Sequence, residues 1–306
     1  MQRLALKIDV DTLRGTLEGV PALIDVLKGQ GCRATFFFSV GPDNTGRALR
    51  RVFRRGFLSK VRRTSVLKHY GLRTLTYGLL LPGPRIARRA GHIMRHTRAE
   101  GFEIGVHAHD HVRWQDNVAH RGREWASREL TRARQGFMQA VGEPPLAHAA
   151  AGWQVNDATP WLEASMAFRY ASDTRGHEPF LPAQRGTVAS CPQLPTTLPT
   201  LDELIGLDGM SEAEAADEIL RLSAQPLPWG HVYTLHAELE GMALAPTFAR
   251  MLATWRSRGH EILALADLRE KLDPDALPWH EITMCSVRGR AGLLACQGKL
   301  VQPRRP

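Results

Sequence analysis

The first forty residues follow the order strand, helix, strand, which few classes of fold contain. RLALKIDV (3–10) is an apolar segment of strand length, VPALIDVLKGQG (20–31) has the spacing of a short helix that ends at glycines, and RATFFFSV (33–40) is a second strand. A parallel pair of strands needs a long crossover connection, which is usually a helix. A helix between two strands therefore favours a parallel pair. The opening of the chain therefore predicts an α/β fold.

The alternation continues to the end of the chain. The further predicted elements are strand 102–107, helix 123–142, helix 211–223, strand 231–236, helix 245–259 and strand 260–267. Ser211 and Glu214 stand at the spacing of a capping box, and Gly259 ends the last helix. Strands and helices in alternation indicate an α/β barrel or a doubly wound parallel sheet.

One segment carries the positive charge of the chain. The formal net charge is +9, yet residues 44–99 contain no Asp or Glu and fifteen of the forty Lys and Arg. The rest of the chain has 25 basic and 31 acidic residues, a difference of −6. Within the segment, LRRVFRRGFLSKVRR (49–63) spaces apolar residues among arginines, and LTYGLLLPGP and RIARRAGHIMRH follow. We interpret residues 44–99 as a basic amphipathic insertion between two strands of the core.

The cysteines and the apolar stretches bear on the compartment. Cys32, Cys191, Cys285 and Cys296 are scattered, without a C-x-x-C pair. We expect free thiols in a reducing cytosol rather than a zinc knuckle or a disulfide framework. No opening segment resembles a signal peptide, and the longest apolar stretches have only strand length, so we expect a protein that is neither exported nor membrane-spanning.

Polar side chains follow three of the predicted strands. The first strand ends in IDVDT, where Asp9 and Asp11 point the same way because strand side chains alternate. GVHAHDH places His107 and His111 at the H-x-x-x-H spacing that brings two imidazoles to one metal, and a later strand ends at His236. Each motif alone is compatible with a polar turn. Together, at the carboxyl ends of parallel strands where active sites form, they predict an open site for a divalent cation.

These motifs resemble those of a known family, the polysaccharide deacetylases with a NodB homology domain. IDVD is similar to the first motif of the family, HAHDH to its H-x-x-x-H motif and TLH to its last motif. Similarity to the members that remove a formyl group runs along the whole chain, through KIDVDTLRGT, ATFFFSVGPDN, EIGVHAHDHVRWQD, AAAGWQ, ASDTRG, TLHAELEG and GLLACQG. The resemblance implies a distorted (β/α) barrel of the NodB type over residues 1–272, interrupted by the insertion 44–99 and followed by a C-terminal extension, 273–306.

The resemblance also implies roles for the motif residues. Asp11, His107 and His111 would hold one divalent ion, and this ligand set accepts zinc, manganese, cobalt or nickel. Asp9 would be the general base and His236 the general acid.

Further positions are expected around these groups. Asp173, in ASDTRG, would tune the acid histidine. Gly152 and Trp153 are expected at the substrate, because the small residues of AAAGW let the backbone approach it closely. The arginine that usually supports the base in this family is missing from AHAAAGWQ. Arg175 is a candidate to replace it and to bind substrate.

The resemblance implies a substrate and a place of action. The implied activity is metal-dependent hydrolysis of the formamide of undecaprenyl-phosphate-linked 4-deoxy-4-formamido-L-arabinose, in the aminoarabinose modification of lipid A that confers polymyxin resistance. Residues 44–99 would attach the enzyme peripherally to the cytoplasmic face of the inner membrane, because basic amphipathic segments bind anionic lipid surfaces.

Two other functions compete with this one. The same site would serve a deacetylase of peptidoglycan or chitin-type sugars, although no export signal is evident. A non-catalytic adaptor for membranes or nucleic acids is a rival of another class, since phosphate neutralisation needs only basic residues. No RNA-binding or helix-turn-helix signature is present, so we expect no nucleic-acid partner. Nothing in the sequence specifies an oligomeric state.

Overall fold

A computed structural model describes residues 2–48 and 72–301, and its centre is a parallel sheet. The strands of this sheet are β1 Arg3–Val10, β2 Thr35–Ser39, β3 Glu103–Ala108, β4 Ala147–His148, β5 Tyr170–Ala171, β8 His231–His236 and β9 Glu261–Leu263. They run in the order β5-β4-β3-β2-β1-β8, β9 also pairs with β1, and every pairing is parallel. This arrangement confirms the distorted (β/α) barrel.

Helices cover the outside of the sheet. Their bounds are α1 Val20–Gly29, α2 Leu72–Thr76, α3 Ile86–Ala99, α4 His111–Asn117, α5 Arg123–Val141, α6 Thr159–Ser165, α7 Leu201–Leu204, α8 Glu212–Leu222, α9 Ala245–Ser257 and α10 Leu265–Glu270. Two π-helical turns, Gly15–Gly19 and Leu239–Ala243, follow β1 and β8. The predicted capping box is present, with Ser211 accepting from the Glu214 amide at the start of α8.

The two faces of β1 enter different environments. Leu4, Leu6 and Ile8 belong to the large apolar core beneath the helices. Lys7 and Asp9 are equally buried but lie on the alternate face, inside the barrel. The central strand therefore carries two charged side chains into the interior.

The last predicted strand is shorter than expected. HEILALAD forms β9 only as far as Leu263, and α10 begins at Leu265. The Asp267 carboxylate accepts a hydrogen bond from the Ala264 amide at 2.9 Å, which caps the new helix. The apolar pattern of a short segment does not distinguish a strand from the start of a helix, whereas the helix cap does.

The C-terminal segment contributes two of the four strands of a second sheet. The strands of this sheet are β6 Leu181–Gln184, β7 Thr187–Val188, β10 Trp279–Ser286 and β11 Leu293–Leu300, in the order β11-β10-β6-β7. The prediction of four free thiols is wrong for one pair, since Cys285 and Cys296 form a disulfide between β10 and β11. The two residues are diagonal neighbours in an antiparallel pair, which the sequence spacing does not show. Cys32 and Cys191 are free and buried.

The basic insertion is described only in part. The segment LRRVFRRGFLSKVRR lies outside the described residues. Helix α3, within the predicted insertion, packs against α1, α5 and β3 and buries Ile86, Ala90 and Met94. Residues 86–99 thus provide the crossover helix that the parallel connection from β2 to β3 requires.

Candidate metal centre and catalytic groups

The carboxyl ends of three parallel strands bring the predicted motifs together. Asp9 on β1 lies opposite His236 on β8 in the sheet register, and Asp11 follows two residues later. His107 lies near the end of β3, and His111 begins α4. The sheet topology therefore converts three motifs that are distant in sequence into one cluster.

Asp11, His107 and His111 offer three ligand atoms to one point. Oδ1 of Asp11 lies 3.3 Å from His107 Nε2 and 3.4 Å from His111 Nε2, and all three atoms lie within 4.8 Å of one another. Oδ1 is buried and has no hydrogen-bond partner of good geometry among the described residues. Converging lone pairs from one carboxylate and two imidazoles fit a divalent transition-metal ion with open coordination positions.

The charges of this cluster are mutually compensating. Burial alone would raise the pKa of Asp11, but His111 and His107 outweigh that effect and hold the pKa well below its usual range. The carboxylate is thus ionised, as metal binding requires.

Neighbouring loops hold the ligands in place. Asp110 caps α4 by accepting from the Arg113 amide at 3.0 Å, and its other oxygen accepts from Asn44 Nδ2 at 2.7 Å. Asp43 accepts from the Leu13 amide at 2.9 Å, on the loop that carries Asp11. The segment after β2 is therefore tied to both ligand loops.

Glu238, just beyond β8, shapes the loop of Asp11 from the other side. Its Oε1 accepts from the amides of Asp11 and Thr12, at 3.0 and 2.8 Å, and from the Thr12 hydroxyl at 2.8 Å. Burial, and then the nearby charge of Asp11, raise the pKa of Glu238 to about 8. Burial and the neighbouring carboxylate of Asp11 therefore both favour the neutral form of Glu238.

Lys7 is the cation beside the predicted base. Its Nζ lies 3.4 Å from Asp9 Oδ2 and donates to the Ser172 carbonyl at 2.8 Å, and the side chain is fully buried. Arg175 instead pairs with Glu203 Oε1 at 2.7 Å, and its predicted support of Asp9 stays a prediction. Oδ1 of Asp9 is buried and accepts no hydrogen bond from the described residues.

Asp202, on α7, lies close to the imidazole of His236. Its Oδ1 lies 3.9 Å from His236 Nδ1, and its Oδ2 lies 3.4 Å from Nη1 of Arg290. Burial disfavours the charged imidazole, but Asp202, and then Asp11 and Asp9, raise the pKa of His236 above its ordinary value. The protonated form that a general acid needs is therefore favoured.

Asp173 contacts Ala150 and His148, and its predicted effect on His236 stays a prediction. Its Oδ1 accepts from the Ala150 amide at 2.6 Å and lies 3.3 Å from His148 Nδ1, which is 2.6 Å from Glu163. Burial opposes ionisation of His148, yet the two carboxylates raise its pKa to about 10. The trio has metal-ligand residue types, but a buried network of contacts between His148, Glu163 and Asp173 accounts for it. Asp173 fixes the backbone of the AAAGW loop.

Trp153 forms a floor under the site rather than an exposed substrate contact. Its side chain is only 1% exposed, and three cations lie over its ring: Lys7 at 5.0 Å, Arg175 at 5.2 Å and Arg290 at 4.8 Å from the centroid. Gly152 has φ +63°, and a Cβ there would lie 2.3 Å from Gln115 Nε2. This close approach explains the glycine through packing.

Comparison with known proteins agrees with this fold and identifies a family. A polysaccharide deacetylase family model matches residues 4–171, which include Asp9, Asp11, His107 and His111. The chain is 36% identical over 99% of its length to a Shewanella sediminis protein, covering 97% of that protein. It is 32% identical over 94% of its length to a Wigglesworthia glossinidia brevipalpis protein, covering all of it. Both carry the name "Probable 4-deoxy-4-formamido-L-arabinose-phosphoundecaprenol deformylase ArnD".

The chain belongs to the polysaccharide deacetylase family, with these two proteins as full-length relatives. A solved structure of a polysaccharide deacetylase from Mycobacterium smegmatis superposes with a TM-score of 0.63 at 16% identity, covering 94% of this chain and 96% of that one. This similarity supports the fold. Among the described residues, no helix is long and apolar enough to cross a bilayer.

Proposed function

We propose that the protein is a metal-dependent deformylase of undecaprenyl-phosphate-linked 4-deoxy-4-formamido-L-arabinose. The observation that carries the proposal is the convergence of Asp11, His107 and His111, beside Asp9 and His236. The names of the two full-length relatives supply the substrate. The reaction is hydrolysis of a formamide to formate and a free amine.

Asp9 and His236 are proposed to carry out one proton transfer each. Asp9 takes a proton from the water that attacks the formyl carbon, while Lys7 holds the carboxylate in position. His236 donates a proton to the nitrogen as the carbon–nitrogen bond breaks. A divalent ion held by Asp11, His107 and His111 would polarise the carbonyl and lower the pKa of a bound water.

Asp202 is proposed to keep His236 protonated, and this has a pH signature. In Asp202→Asn the loss of negative charge lowers the pKa of the imidazole. Since the acid acts when protonated, the basic limb of the kcat profile should move to lower pH, with activity lost earlier as pH rises. Asp217→Asn, at an exposed carboxylate on α8, should leave the limb in place. If the basic limb of the Asp202→Asn profile does not move, a group other than Asp202 sets the pKa of the general acid.

The place of action follows from the proposed substrate. A polyprenyl phosphate resides in a membrane, so the enzyme is proposed to work at a bilayer surface as a peripheral protein on the cytoplasmic face of the inner membrane. The basic charge of residues 44–99 supports this proposal, because each basic residue near an anionic leaflet contributes about 1 kcal/mol.

The substrate proposal is tested by a choice between two acyl groups. The metal-loaded protein is offered a short-chain prenyl-phosphate 4-formamido-arabinose and, separately, an N-acetylated oligosaccharide of the peptidoglycan or chitin type. Formate from the first and negligible acetate from the second support the deformylase. Acetate without formate would retain the chemistry and overturn the substrate. No product from either, with metal bound, would favour the adaptor.

A further inference from the structure

A turn of three leucines projects from the edge of the active site. Leu79, Leu80 and Leu81 are 39%, 82% and 47% exposed, whereas most other large apolar side chains of the described residues are buried. No segment of the described structure covers them. Three consecutive exposed leucines are costly in water, and such a patch marks a place where the protein meets an apolar partner.

The turn is ordered by its own hydrogen bonds. The amides of all three leucines donate to the Thr76 carbonyl, at 3.2, 2.9 and 3.1 Å, and the Gly78 amide donates to the Leu81 carbonyl at 2.7 Å. Gly78 has φ +78°, and a Cβ there would lie 2.6 Å from Asn44 Oδ1. The leucines are therefore held outward by a compact turn that rests on Asn44.

A short chain of contacts joins the turn to the metal ligands. Asn44 touches the turn on one side and donates to Asp110 at 2.7 Å on the other, and Asp110 caps the helix that begins with His111. The adjacent Asp43 holds the loop after Asp11 through the Leu13 amide. The leucines thus stand at the rim of the site, in a fixed relation to it.

The surroundings of the turn are cationic. Arg47 Nε donates to the Gly78 carbonyl at 3.1 Å, and the Arg73 carbonyl on α2 accepts from the hydroxyl of Thr76. Arg47, Arg73 and Arg85 are all exposed, and residues 44–99 contain no acidic side chain. Exposed leucines accompanied by exposed arginines complement a bilayer that has an anionic surface and an apolar interior.

We propose that the leucine turn, Leu79–Leu81, inserts into an anionic bilayer and seats the rim of the active site on the membrane. The inference rests on the proposed function, since an enzyme that acts on a lipid-linked sugar must bind it at the membrane surface. Bilayer binding itself needs no substrate. The two proposals can therefore fail separately.

The test replaces Leu79, Leu80 and Leu81 by serine in the full chain. Partition onto vesicles of about one-third phosphatidylglycerol in phosphatidylcholine should fall about 100-fold, because the apolar transfer of three leucines is lost. Leu146→Ser is the matched control, since Leu146 is 51% exposed but precedes β4 at the opposite end of the sheet. The control should bind vesicles as the wild type does.

Activity separates docking from chemistry. On a water-soluble short-chain substrate the triple variant should keep the wild-type kcat, whereas on the polyprenyl substrate in vesicles its KM should rise. Unchanged vesicle binding in the triple variant would overturn the proposal. Strong wild-type binding to RNA or DNA with none to vesicles would also overturn it, by identifying the basic surface as a nucleic-acid site. Loss of vesicle binding without any deformylase activity would uphold the docking surface and reject the proposed function.

Discussion

Replacing Asp9 by asparagine should lower kcat for formate release by about 10²–10⁴-fold, the usual contribution of a positioned general base. Asparagine has nearly the same shape but cannot accept the proton of the attacking water. The three proposed ligand atoms belong to Asp11, His107 and His111, so the variant should still bind one metal ion per chain. Formate release and metal content, measured on one preparation, check both expectations.

Two comparisons make this result specific. Asp25→Asn removes an exposed carboxylate from α1 and should leave kcat unchanged. The unfolding temperature of Asp9→Asn should show that the protein remains folded. If kcat falls by less than about tenfold while metal is retained, another group is the base.

Replacing Lys7 by methionine should destabilise the protein by about 3–5 kcal/mol, because it leaves the buried carboxylate of Asp9 without its cation. The loss should appear in denaturant unfolding at neutral pH. The kcat should fall as well, since Lys7 positions the base and lies over the floor formed by Trp153.

A double replacement distinguishes pairing from simple loss of packing. If Lys7 and Asp9 stabilise each other, Lys7→Met with Asp9→Asn should be more stable than the sum of the single effects predicts. Lys271→Met removes a half-exposed lysine that lies 3.5 Å from Glu261, and should cost less than about 1 kcal/mol. Strict additivity of the Lys7 and Asp9 effects would contradict the buried pair.

The strands and the metal cluster could be predicted because their signals are local. Asp9 and Asp11 end an apolar strand, His107 and His111 follow another, and the carboxyl ends of parallel strands share one edge. Lys7 was visible by the same rule: it stands two residues before Asp9 and must point the same way. A lysine in the middle of an otherwise apolar strand is the signal for a buried charge pair.

The surroundings of His236 could not be predicted in this way. Asp202 and Arg290 approach it from a short helix and from the turn between β10 and β11, and no periodicity links those segments to β8. Asp173 is a second example, since its contacts with His148 and Ala150 join segments that no sequence spacing relates. Loop positions depend on tertiary packing, which sequence spacing does not predict.

Formate release before and after removal of the bound metal is the most direct test of the proposed centre. The full-length protein, with the short-chain formamido-arabinose substrate, should lose activity when a chelator strips the ion. Addition of one equivalent of divalent metal should restore it in the wild type and leave Asp9→Asn nearly inactive. Formate release that is indifferent to chelation, from protein shown to be metal-free, would contradict the assignment of Asp11, His107 and His111 as a catalytic metal site.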